Sequence, residues 1–110
     1  MGAQGTSTLD FGAHPGTYHA TVAVTGQAGI VAGSLAEAWI RPEATADHTS
    51  EDHMVGVLRV VAADIIAGTG FTIHGFTDSD SYQAPGHGGT PASPQNSGLT
   101  GQWSVAWAWN

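Results

Sequence analysis

The chain has 110 residues and no cysteine, which excludes disulfides and thiolate metal sites. Packing, sheet hydrogen bonds or oligomerisation must hold it instead. It also has no lysine, and its two cations, Arg41 and Arg59, stand against nine carboxylates for a formal charge of −7. Nucleic-acid binding needs a basic footprint, and two arginines cannot form one. Long hydrophobic runs are absent too. None reaches the roughly 18 apolar residues of a membrane-spanning helix, and the amino end shows no basic stretch followed by an apolar run. Met1-Gly2-Ala3-Gln4-Gly5-Thr6 fits the myristoylation pattern formally. Nothing basic nearby supplies a second membrane signal. The expectation is no nucleic acid and no membrane insertion.

What is present points to strands. Sixteen glycines and twelve threonines with little charge are poor helix material and suit short strands between turns. This length bounds one domain, 1–110. Thr6 to Phe11 alternates weakly and reads as a strand with Leu9 and Phe11 inward, before the Pro-Gly turn at 12–16. Thr17 to Thr25 is a clear strand, with Tyr18, Ala20, Val22 and Val24 on one face and His19, Thr21 and Ala23 on the other. Gly26 to Gly33 reads as a connection that buries Ile30 and Val31. Leu35 to Arg41 is a strand with Leu35, Glu37, Trp39 and Arg41 on one face, ended by Pro42. Ala44 to His53 is acidic and irregular, with one helical turn. Met54 to Ala63 reads as a strand, Ala62 to Gly70 as a turn, and Phe71 to Phe76 as another strand.

The closing segment is the most informative. Trp103, Val105, Trp107 and Trp109 alternate with Gln102, Ser104, Ala106 and Ala108, so one face is bulky and apolar and the other is flat. This strand is expected to be structural. Its flat face allows a neighbouring sheet, subunit or ligand to approach closely. Together these segments predict an all-β fold, an antiparallel β-sandwich or jelly-roll-like barrel of about six to eight short strands. The segment 77–100 interrupts the pattern with a long polar loop, and such loops in small domains carry function or move.

Several clusters carry possible chemistry. Asp47-His48-Thr49-Ser50-Glu51-Asp52-His53 offers two imidazoles among carboxylates, with Asp47, His48 and His53 as metal-ligand candidates. The spacing is not that of a helical His pair, however. A solvated acidic loop with Thr49 or Ser50 capping a helical turn is the preferred reading. Asp78-Ser79-Asp80 resembles the opening of a calcium loop but lacks its glycine and closing glutamate. His14, His19, His74 and His87 are scattered, and no serine occupies a recognisable nucleophile context. Carboxylate pairs of the glycosidase kind depend on the fold alone. No enzyme and no cofactor are expected. Among the aromatics, Trp39 with Trp103, Trp107 or Trp109 offers a sugar-stacking platform, although rings on one strand face more often form a core or interface. Tyr82 adds a binding candidate within the long loop, which Tyr82 and Leu99 tack down.

Thr8-Leu9-Asp10-Phe11-Gly12-Ala13, Val22-Ala-Val-Thr-Gly-Gln27, Ala38-Trp39-Ile40 near Pro42, Ala44-Thr-Ala-Asp-His48, Ala67-Gly-Thr-Gly-Phe-Thr72 and the closing Gly101–Asn110 segment resemble a group of small structural proteins of tailed bacteriophages and prophages. The resemblance covers most of the chain outside 77–100, and its members differ most in that loop. The group has no characterised activity, so the likeness implies a context and no catalytic residues. That context is the virion. It implies a capsid decoration protein or a tail fibre or tip component in contact with other virion proteins. Separately, burying the tryptophan strand on both sides needs more sheet than six short strands offer, so a homo-oligomer, most simply a trimer, is expected. The alternative expectation is a carbohydrate-binding module for host surface glycans.

Overall fold

The structure is a computed structural model that describes residues 2–14, 16–55, 58–77 and 99–110. It is an all-β sandwich of two antiparallel three-stranded sheets, and no barrel closes among the described residues. Strands β1 (Ala3–Asp10), β2 (His19–Val24) and β3 (Ala36–Ile40) precede a short helix α1 (Ser50–Val55). Strands β4 (Arg59–Ile66), β5 (Gly70–Phe76) and β6 (Gln102–Trp109) follow. One sheet has the order β1-β6-β3 and the other β2-β5-β4. The tryptophan strand β6 therefore lies in the centre of its sheet.

Alternation set the faces correctly. In the first sheet Trp103, Val105, Trp107 and Trp109 turn inward with Leu9, and all five are buried. In the second, Ala20, Val24, Phe71 and Ile73 turn inward to meet them, and Phe11 and Ile30 complete the buried cluster. Each of the three buried indole N–H groups finds an acceptor, as buried tryptophans require: Trp103 Nε1 donates to the Thr100 carbonyl (3.0 Å), Trp107 to Ser7 Oγ (3.2 Å) and Trp109 to Gln27 Oε1 (2.8 Å). Two glycines make room for this packing. A Cβ on Gly5 would lie 2.5 Å from Trp107 Cζ2, and one on Gly75 2.6 Å from Leu9 Cδ1.

Several boundaries and one burial differ from what the sequence suggests. β1 begins at Ala3 instead of Thr6, because β6 supplies partners as far as Trp109. The segment expected as a strand from Met54 is helical through Val55, and the strand starts at Arg59. β4 then runs on to Ile66, through residues expected to turn. A bulge between Ala63 and Ile66 breaks its alternation, and Asp64 adopts a left-handed φ of 58° there. Val31, expected to be buried with Ile30, is 58% exposed. At the start of the long polar segment, Thr77 is buried and its N–H donates to the Tyr18 carbonyl. At its end, Leu99 exchanges two backbone bonds with Thr17 and packs on the core. Tyr82, His87, Asp78 and Asp80 lie outside the described residues.

Candidate functional site

The acidic segment before α1 completes the sheet. β3 pairs with β6 only as far as Ile40 opposite Val105, with one further bond from Arg41 N–H to the Ser104 carbonyl. Beyond that point side chains replace the missing strand along β6. Asp47 Oδ2 accepts from Gln102 N–H (3.0 Å), Thr45 Oγ1 donates to the Gln102 carbonyl (2.7 Å), and His53 Nε2 accepts from Ser104 N–H (2.9 Å). Since His53 Nε2 accepts, its proton is on Nδ1, which donates to the Thr49 carbonyl at 2.8 Å. His48 Nε2 donates to the Thr100 carbonyl (2.7 Å), and its ring stacks on Trp103 at 3.9 Å between centroids.

The structure therefore engages each candidate metal ligand in a structural bond. Asp47 and His53 hold the β6 backbone, and His48 covers Trp103. Among the described residues no group of three or more His, Asp or Glu side chains is placed to hold an ion.

The helical turn follows from a reciprocal cap. Asp52 N–H donates to Thr49 Oγ1 (3.1 Å), and Thr49 N–H donates to Asp52 Oδ2 (3.0 Å), an arrangement that satisfies two orphan donors at once. The Thr49 N–H, and after it the His48 imidazole, hold the Asp52 carboxyl below its ordinary range. A carboxyl whose folded-state pKa is depressed adds stability above its unfolded value. That stability is lost as pH falls below the unfolded value and through the lowered folded one. Asp52→Asn is therefore expected to narrow the difference in melting temperature between neutral and strongly acidic solution. An unchanged acid limb in thermal melts would show that the cap contributes nothing.

The tryptophan candidates separate. Trp39 pairs with Ala106, and directly opposed residues share a face. Trp39 thus lies on the outside of the β1-β6-β3 sheet, while Trp103, Trp107 and Trp109 lie inside. Trp39 is 46% exposed; Trp103 and Trp109 are only 4% and 7% exposed. The platform built from Trp39 and the closing tryptophans is not formed, because the sheet stands between them. The register instead sets Trp39 in a row with Thr6 and Ala106, beside the row Gln4, Ala108 and Glu37, with Thr8 and Ser104 beyond. Glu37 alone among these side chains is charged. A shallow cavity of about 280 Å³ beside Trp39 is lined by Gln4, Gly5, Thr6, Trp39, Ala106 and Trp107.

A second constellation escaped the sequence reading. On the outside of the other sheet, His19, His74 and Asp64 form a hydrogen-bonded series. They come from three strands, and only the strand register brings them together. Comparison with protein-family models, curated proteins and solved structures finds no match to this chain.

Proposed function

We propose that this protein is a non-enzymatic structural component of a tailed-bacteriophage virion, a capsid decoration protein or a tail fibre or tip component. It acts by packing against copies of itself, most simply as a trimer, and against other virion proteins. The context rests on the resemblance of its sequence segments. The mode of action rests on one observation: a half-exposed Trp39 stands on a flat sheet face whose neighbours are Gln4, Thr6, Ala106 and Ala108. Chains of charge −7 repel one another, but the row of Trp39, Ala106 and Thr6 carries no carboxylate itself, which lets two copies approach closely there. Tryptophan is enriched among the anchors of such interfaces, and closed symmetric assembly is their common outcome.

Sedimentation velocity tests the reading directly. The full chain is expected to run as an oligomer at micromolar concentration. Trp39→Ala should shift it to monomer with little loss of melting temperature, since an exposed ring contributes little to the fold itself. A wild-type chain that stays monomeric contradicts the proposal. Its absence from purified virions by mass analysis contradicts the assigned context.

A second reading has its own observation. Trp39 beside the amide of Gln4 and the hydroxyl of Thr6, in the 280 Å³ cavity, combines a stacking ring with polar groups suited to a sugar. The other three tryptophans are buried, so a fluorescence change on titration with host polysaccharide reports chiefly on Trp39. A saturable change lost in Trp39→Ala, with a monomeric wild type, favours glycan recognition over assembly.

A further inference from the structure

The outer face of β2-β5-β4 lies on the far side of the sandwich from the surface proposed for assembly. Two imidazoles converge on it. His19 Nε2 is 3.0 Å from His74 Nδ1, and His74 Nε2 is 2.8 Å from Asp64 Oδ2. An ionised carboxylate only accepts, so His74 Nε2 carries a proton, and in the neutral ring Nδ1 presents a lone pair. His19 Nε2–H donates to that lone pair. Neighbouring side chains pack against these rings. His19 lies flat on Phe76, 4.5 Å between centroids and 3° from parallel, and the Arg59 guanidinium sits 5.7 Å from the Phe76 ring centre. Asp64 reaches His74 from the β4 bulge, where its left-handed φ of 58° is a conformation that non-glycine residues adopt at a cost and that clusters at functional sites.

We propose that His19 Nε2 and His74 Nδ1 form a two-point site for a late first-row divalent ion, Cu2+ foremost and Ni2+ after it. Moving the His19 proton from Nε2 to Nδ1 leaves a lone pair on both facing nitrogens, and the two rings then turn off their shared hydrogen-bond line toward a common ion. Asp64 already makes the contact that a metal-bound histidine requires: a carboxylate on the other ring nitrogen fixes tautomer and orientation. A separation of 3.0 Å lies within the span of two nitrogens on one ion, since nitrogen–metal bonds of about 2.0–2.1 Å hold adjacent donors roughly 3 Å apart. Among divalent first-row ions Cu2+ binds such nitrogen donors most tightly. With no third His, Asp or Glu converging among the described residues, water fills the remaining corners and the bound ion stays open to a further ligand.

The test is a Cu2+ titration of the full chain in a non-chelating buffer. It is followed by electron paramagnetic resonance and by the ring signals of 15N-histidine-labelled protein. The expected result is saturable binding with two nitrogen ligands and selective broadening of the His19 and His74 rings. His19→Gln should abolish that signature, and Asp64→Asn should weaken affinity by about 10–100-fold while leaving the two-nitrogen signature intact. Zn2+ should bind less tightly than Cu2+. Copper affinity and spectrum unchanged in His19→Gln overturn the proposal. If a variant fails to fold, the wild-type spectrum decides alone: sharp His19 and His74 lines under stoichiometric Cu2+ overturn it equally.

Discussion

Trp107→Ala is expected to lower the unfolding free energy by about 3–5 kcal/mol, the usual cost of emptying a buried aromatic site. That is a large part of the 5–15 kcal/mol typical of a domain. Trp107 is 7% exposed, lies edge-on to Phe71 at 5.6 Å and donates to Ser7 Oγ. Its six-membered ring fills the space that the missing Cβ of Gly5 leaves open, so neighbouring backbone would have to collapse to fill the void. Removing residues 107–110 should do more damage than the substitution. It strips Gly5, Gln4 and Ala3 on one side and Ala36, Glu37 and Ala38 on the other of their pairing partners, splitting the sheet along its centre. Insoluble protein is the expected result. A truncated chain that melts with the full-length midpoint would mean that β6 is an appendage, contrary to its central position.

What the sequence disclosed, and what it hid, follows from the range of the forces involved. The side chains of β2, β3 and β6 alternate strictly, and period two is a property of the strand itself. Which side chains share a face was therefore legible without any partner. The start of β4 was not legible. β-Branched preference over Met54 to Ala63 argues for a strand, but the reciprocal Thr49–Asp52 cap and the anchoring of His53 to Ser104 commit the chain to a helical turn first. Trp39 was correctly set on one face of its strand, yet alternation within a strand cannot say which face of a neighbour it joins. That depends on register, and the register opposes Trp39 to Ala106. The series His19–His74–Asp64 lay further out of reach. It needs the β2–β5 register, and it needs a bulge in β4 that no local pattern announces.

The His and Asp cluster at 47–53 shows the same limit from the other direction, since the residue types suited a metal and the structure gives them backbone to hold. An edge where β3 stops short leaves β6 with N–H and carbonyl groups without strand partners, and at Ser104, where the N–H is buried, a missing acceptor is costly. His53 answers that need at the most enclosed point. It is 4% exposed, Ser104 beside it is 7% exposed, and its two ring nitrogens join Ser104 N–H to the Thr49 carbonyl. His53→Phe leaves no cavity and removes both bonds, with some crowding from its larger ring. It is expected to destabilise the protein by about 1–3 kcal/mol, the cost of a buried donor left without an acceptor. His53→Ala should cost more, because it adds a cavity beneath α1. Amide hydrogen exchange locates the effect: Ser104 N–H should lose protection in both variants, while the β2–β5 amides keep theirs relative to global stability. Equal stability of the wild type and His53→Phe in denaturant titrations would mean that water satisfies Ser104. The segment 45–53 would then be a cover on the sheet and not its fourth strand in side-chain form.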